Sequence, residues 1–392
     1  MSVRSVRVVR LVVAMSLLGG GLAASYMLKP EMLQGEAAES VVIRDNQALI
    51  VGIHEQLQAR TERFSFRLNG AGFSEAAIKE AIKQAIAADD YTAYVMDSYY
   101  YTIRSRASRA DLELIVRYRE TAAQTAQVDR ITDVALRTIV HAGMSDHERV
   151  KAIHDWVVDL VAYDTSLQRY TAYEALSSGK AVCQGYALLM HRMLVKAGFE
   201  DRIAEGTVQS GDHAWNVVKL GGNWYHLDAT WDDAAPDTKS VKDQVLAKSI
   251  GSETRYRYYL LTDDQMRADH HWTKPYPKAE VSYASAIVAD QKAASASTAA
   301  SLAKLEAAIG LDWLRPERTA DSLASLTSKL ADTAARGLLE LTVRYTNGES
   351  WSNDIRAAIA DAGIRDGYSV RSVPYRTEGS VLLHIELIPS AT

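Results

Sequence analysis

Along residues 183–197 apolar side chains return every three or four positions. Tyr186, Leu189, Met190, Met193, Leu194 and Ala197 fall on one stripe, the period of an amphipathic helix. Gly198 follows the stripe and Lys196 stands in its last turn, both stop signals. Farther on the pattern becomes that of strands. Residues 213–220 (HAWNVVKL) and 223–228 (NWYHLD) are rich in β-branched and aromatic side chains and flank Gly221-Gly222, a two-residue hairpin signal. A loop of that length pairs Leu220 with Asn223, and the register carries on to Trp215 opposite Asp228 and His213 opposite Thr230. His213 and Asp228 then share a face as diagonal neighbours, roughly 7–8 Å apart at the backbone. A three-residue loop would reverse the parity and part them.

The same reading outlines both flanks. Residues 61–68 (TERFSFRL) predict a strand, 74–88 a helix with Ile78, Ile82 and Ile86 on one stripe, and 98–105 and 111–118 two more strands. The C-terminal part repeats that order with strand 338–345, helix 352–362 and strands 368–375 and 380–388. Short text recurs too: Asn69-Gly70, Phe73-Ser74 and Ile78…Ile82 are echoed by Asn347-Gly348, Trp351-Ser352 and Ile355…Ile359. This order predicts a duplicated β-α-β-β module on either side of a central unit. Between the centre and the second copy, residues 286–310 are rich in Ala and Ser. Their first part predicts a flexible linker, and Ser301 onward a helix start. The expected division is an N-terminal segment 1–25, a module 40–140, a core 141–280, a linker 281–300 and a module 301–392.

Cys183 is the only cysteine, and it precedes the helical stripe. A thiol in a first helical turn meets unpaired N–H groups and the positive end of the helix dipole, which favour thiolate. Cysteine, then His213, then Asp228 are the parts of an acyl-transfer triad. Bland roles compete for each group. A lone cysteine is most often a small buried hydrophobe, and His213 beside Trp215 alone would suit a core. His226 is expected to pack or face solvent. The pairs Asp232-Asp233 and Asp263-Asp264 are expected to be solvated rather than calcium ligands. His270-His271 gives no ligand spacing, because adjacent side chains diverge. No metal site and no cofactor are expected.

The runs YEALSSGKAVCQGYALLMHRMLVKAGF and GDHAWNVVKLGGNWYHLDATWDD resemble the transglutaminase-like core within the papain-like superfamily. HDWVVDLVAYD (154–164), YYLLTDDQM (258–266) and His271-Trp272 are similar to bacterial members, and the resemblance covers about residues 145–275. It implies an α+β fold in which the helix carrying the cysteine packs on an antiparallel sheet. It also implies Cys183 as nucleophile, His213 as base and acid, and Asp228 as the group that orients the imidazole. The backbone N–H of Cys183 is a natural oxyanion donor. In related enzymes the second donor is a glutamine, a tryptophan or a tyrosine; here Tyr163 and Gln184 are the candidates, with Trp215 in support. Family likeness does not decide between transferase and hydrolase. Some relatives with this fold have lost catalysis, so a binding or scaffold protein of the cell envelope is the alternative.

Composition changes the picture in few places. At 392 residues two or three domains are expected. The net charge is −5 and basic residues cluster only at the extreme N-terminus, which argues against nucleic acid. One cysteine excludes an intrachain disulfide without distinguishing compartments. The N-terminus does distinguish them. Arg4, Arg7 and Arg10 precede the uncharged Leu11–Ala24, and ~14 residues suit a signal-peptide core rather than a full membrane span. Ala23, Ala24 and Ser25 could serve cleavage, and an uncleaved anchor would be the only membrane attachment. No cysteine stands directly after this segment, so a lipid-anchored lipoprotein is not expected. The expected location is extracytoplasmic, and the expected substrate a protein or peptide such as a cell-wall peptide.

Overall fold

Residues 7–11, 41–70, 72–106, 109–233, 253–365, 367–375 and 379–388 are described by a computed structural model. Of the expected signal segment, only Arg7–Leu11 (β1) is among them; the rest of 1–25 lies outside the described residues. No helix among the described residues is long and apolar enough to cross a membrane.

The centre is built around one helix, α7 (Cys183–Lys196). The helices α4 (Ala122–Ile139), α5 (Asp146–Leu160) and α6 (Ala172–Ser178) pack around it, each started by a capping box at Thr121, Ser145 and Thr171. Such boxes satisfy two first-turn donors at once. The stripe expected from sequence is buried, but so are Gln184, Ala187, Leu188 and His191, so α7 is enclosed on nearly all sides rather than one. Gly185 permits this. A Cβ there would stand 2.6 Å from the Ala181 Cβ and 3.1 Å from the Thr171 carbonyl oxygen. Past Lys196 the chain turns through Gly198 at φ +90°, with Phe199 N–H on the Leu194 carbonyl, as a left-handed helix end requires.

Against α7 lies an antiparallel sheet of β8 (Asp201–Val208), β9 (Gly211–Leu220) and β10 (Asn223–Leu227), in the order β10-β9-β8. Asn216 joins the two layers, donating from Nδ2 to the Ala187 carbonyl at 3.1 Å and to Asp201 Oδ2 at 2.8 Å. The hairpin takes the register the Gly-Gly loop predicts, Leu220 opposite Asn223 and Asn216 opposite Leu227. Gly221 and Gly222 have φ of 58° and 84°, the tight turn whose twist suits a hairpin. The ladder stops at Leu227, however. Asp228 caps the short helix α8 (Ala229–Asp232), so Thr230 does not stand opposite His213 as the extended register has it. An aspartate that can bond the N–H groups two and three residues ahead competes with strand pairing.

The flanking sheets share one topology. In the first, β2 (Val41–Ile43), α1 (Asn46–Gln58), β3 (Arg63–Asn69), α2 (Glu75–Ala87), β4 (Met96–Arg106) and β5 (Arg109–Tyr118) follow in sequence, with α3 (Asp90–Val95) ahead of β4. The strand order is β1-β4-β5-β3-β2. In the second, β11 (Thr319–Ala320), helix Leu323–Ala335, β12 (Glu340–Tyr345), helix Trp351–Asp361, β13 (Gly367–Tyr375) and β14 (Ser380–Ile388) give β11-β12-β14-β13. Both begin with a parallel pair and continue antiparallel. Ile78 and Ile82 in one, Ile355 and Ile359 in the other, are buried against their sheets. Each unit is thus β-α-β-α-β-β, one strand and one helix longer than the sequence reading had it.

The expected linker at 281–300 is instead structured. Tyr283–Ala293 and Ala296–Ala308 are helices, and Tyr283, Ile287, Leu302 and Leu305 join the core around α7. Alanine is the best helix former, and four apolar anchors are enough to dock the pair.

Candidate active site

Cys183 is the first residue of α7, and Val182 before it makes no side-chain cap. No side chain therefore caps the first turn; the Gly185 N–H donates to the Val182 carbonyl at 2.9 Å, and the positive end of the helix lies at Cys183. Cys183 is 8% exposed and His213, on β9, 4%. The His213 Nε2–H donates to Asp228 Oδ2 at 2.7 Å, and Cys183 lies near enough to the same imidazole to raise its pKa. One buried site thus holds a bonded His213–Asp228 pair with Cys183 close by.

Its electrostatics favour charge separation. Burial alone would lower the His213 pKa, but the charge and hydrogen bond of Asp228, then Cys183, raise it to about 10. Burial alone would raise Asp228, yet the neighbouring His213 and His270 hold its carboxyl well below the usual carboxylate range. The Asp228 carboxylate is saturated with donors. Oδ1 accepts from the Thr230 and Trp231 amides at 3.0 and 3.2 Å, and Oδ2 from His213 and from His270 Nε2 at 3.1 Å. Bonds of this kind to the charged form are what depress a buried acid.

The other sequence candidates divide. Tyr163, at the end of the short strand β6 (Ala162–Tyr163), is 38% exposed. Partial burial and the nearby Cys183 raise its phenol, and Asp164 beside it accepts instead from Ser166, Gln168 and Arg169. In register Tyr163 stands opposite Ala181, two residues before the cysteine. The Gln184 Nε2 donates to the Tyr94 carbonyl at 2.6 Å and its Oε1 is buried without a partner, because the second position of α7 points away from the first. Trp215 supports by packing. Its ring stacks on His213 at 6.0 Å and 20°, while its N–H goes to His226 Nδ1 at 2.9 Å, so it is no oxyanion donor.

His226 is fully buried and bonds Asp263 at 2.8 Å, a packing role. Of the acidic pairs expected to be solvated, Asp264 is exposed, whereas Asp232-Asp233 is bonded within the fold. Asp232 is buried and accepts from His154 Nε2 at 3.1 Å and the Tyr258 amide at 2.7 Å, and Asp233 accepts from the Tyr186 hydroxyl at 2.6 Å. Burial raises the Asp232 pKa to about 6 against the opposing pull of His154. Asp228, the cap of α8, bonds two buried histidines, His213 and His270, and Asp232 at the end of α8 bonds a third, His154.

Sequence reasoning missed His270. It regarded His270 only as half of an adjacent pair, and the pair does diverge, His271 being exposed and His270 buried. His213, Asp228 and His270 bring one ligand atom each within 4.8 Å of one another. These atoms already bond one another, and the rings of Trp215, Trp231 and Tyr258 pack against His270 at 5.2, 4.5 and 5.5 Å. The three side chains form a hydrogen-bonded cluster walled by aromatic rings.

Residues 134–229 match the family model of the transglutaminase-like superfamily. A kyphoscoliosis peptidase of Mus musculus is 28% identical over 180 residues, 41% of this chain and 26% of that protein. Its Homo sapiens counterpart is 28% identical over 158 residues, 36% of this chain and 23% of that protein. The match thus spans about a quarter of the curated relatives' length. Among solved structures, a TGase aligns at 12% identity with a TM-score of 0.27, over 54% of this chain and 63% of that one. The chain carries a transglutaminase-like domain, and Cys183, His213 and Asp228 lie inside the matched stretch.

Proposed function

We propose that this chain is a cysteine acyl-transfer enzyme in which Cys183 is the nucleophile, His213 the base and acid, and Asp228 the group that holds the imidazole. What supports this reading is the His213–Asp228 hydrogen bond at 2.7 Å, with Cys183 near the same imidazole at the start of α7. The thiol proton passes to His213, and the sulfur attacks the carbonyl carbon of a carboxamide or peptide. The imidazolium then protonates the leaving amine, and a thioester remains on Cys183. Water or a second amine gives a proton back to His213 and takes the acyl group. The Cys183 N–H at the start of α7 and the Tyr163 hydroxyl are the donors proposed for the oxyanion.

The substrate class is a protein or peptide, and the relatives' name, peptidase, favours a peptide bond. The basic and then apolar N-terminus supports an extracytoplasmic site of action, such as cell-wall peptide. One observation favours the alternative of a silent scaffold, the small exposure of Cys183. A glutamine-bearing peptide and a tagged primary amine, incubated with the wild type and Cys183→Ala, decide between them. Conjugate with ammonia marks a transferase and cleaved peptide a hydrolase, either one lost in Cys183→Ala. No product from the wild type, or the same product from both, removes the catalytic reading.

A further inference from the structure

The use of Asp228 by two imidazoles has no counterpart in a three-residue line. His270 Nε2–H donates to the same Oδ2 that receives His213, and the far nitrogen of His270, Nδ1, lies 2.7 Å from Asp269 Oδ1. Asp269 is partly exposed and also accepts from the Tyr258 hydroxyl at 2.6 Å. His270 is itself held in place from both chain directions. Thr207 and His271 exchange backbone hydrogen bonds at 2.8 and 2.9 Å, pinning the 269–272 segment onto β8. Gly206 leaves room for that approach, since a Cβ there would lie 2.1 Å from the His271 carbonyl oxygen. A buried histidine fixed this firmly, with both ring nitrogens on carboxylates, is aimed at Asp228 rather than filling space.

We propose that His270 is a positioning residue for the candidate active site. It fixes the Asp228 carboxylate and keeps it anionic, so that Asp228 can hold His213 against Cys183. This rests on the reading of Cys183, His213 and Asp228 given above. A carboxylate in an apolar wall with one side-chain donor removed is drawn toward its neutral form, and a neutral Asp228 no longer stabilises a His213 imidazolium. Other titratable groups face this pair: Cys183 and Tyr186 from α7, Asp232 from α8, and His226 from β10, besides Tyr258 and Asp269. None of them offers Oδ2 a second donor among the described contacts.

Because Cys183 is the only cysteine, iodoacetamide labelling of the full chain reports on one thiol and needs no substrate. Its rate is measured from pH 5 to 9 for the wild type, His270→Phe, His270→Gln and His270→Asn, with His213→Ala as reference and a thermal melt of each. His270→Phe is expected to label about tenfold more slowly at pH 7, the effect of one lost hydrogen bond to a charged group, with its acid limb moved to higher pH. His270→Gln can still donate to Oδ2 and is expected within about threefold of the wild type. His270→Asn is a bond too short to reach and should label as slowly as His270→Phe. It decides the matter if the phenylalanine does not fold. Wild-type rates in His270→Asn, or a folded His270→Gln as slow as it, overturn the proposal. If His213→Ala labels as fast as the wild type, the parent reading fails instead, so the two failures are distinct.

Discussion

At the residue scale, the pairing of His213 with Asp228 and the place of Cys183 at a helix start were legible because each residue sits beside a strong local signal. The cysteine opens a helical stripe, and His213 and Asp228 flank a Gly-Gly turn that fixes their relation. His270 carried no such signal. It lies 42 positions beyond Asp228, and only the Thr207–His271 backbone pairing brings it in. The charges themselves make a prediction. His213 is raised from 6.5 to about 10, so its contribution to stability is full below pH 6.5 and is lost as pH rises through 10. Asp232, raised to about 6, likewise loses its contribution as pH rises through that value. Asp228 is depressed, so it contributes above its ordinary 3.8 and loses that on acidification. Thermal melts should therefore peak near pH 4–6 and decline toward pH 10. In Asp228→Asn the alkaline decline should flatten, and turnover should fall by up to about 10⁴-fold with the fold intact. A wild-type melting temperature that climbs from pH 6 to 9, or an Asp228→Asn enzyme at full activity, would remove this account of the pair.

At the element scale, turn chemistry was more legible than composition. Gly221-Gly222 gave the hairpin register to the residue because only a two-residue loop with left-handed centres fits the strand twist. The end of β10 was hidden, since whether Asp228 pairs or caps depends on which offers its neighbours' N–H groups the better acceptor. The Ala/Ser run was ambiguous for a different reason. Small residues serve linkers and helices alike, and what decides here is the docking of Tyr283, Ile287, Leu302 and Leu305 on the core. Packing also marks where an element cannot change. Gly206→Ala sets a Cβ against the His271 carbonyl and the Trp215 ring at 2.1 and 2.9 Å, and backbone on one side cannot rotate away. The expected cost is about 1–3 kcal/mol or more in a urea melt, with slower labelling of Cys183 as the 269–272 segment shifts. Unchanged stability and labelling would mean that the segment is loosely held and its pairing with β8 incidental.

At the scale of the whole molecule, sequence text suggested two related flanks, and the matching strand orders extend that suggestion without any shared chemistry. Their relation to the centre differs. The first flank is joined to it by polar contacts: Glu120 accepts from the Tyr91 hydroxyl and the Tyr173 amide, and Gln184 donates to the Tyr94 carbonyl. The second has a core of its own, with Leu326, Val343, Ile355 and Leu383, and meets the rest through Trp313, Leu314 and the Tyr375 hydroxyl on the Gly310 carbonyl. A fragment cut to the expected core, 141–280, would lose α4 and the helices at 283–308, leaving buried charges unpaired and α7 uncovered. It should show no cooperative melt. A fragment of residues 41–315 keeps α4 and the helices at 283–308 and should melt cooperatively, with Cys183 labelled within about twofold of the whole chain, as expected when distant sites act independently. If that fragment labels as slowly as His213→Ala while still folded, the C-terminal unit takes part in the chemistry, and its separation from the site is wrong.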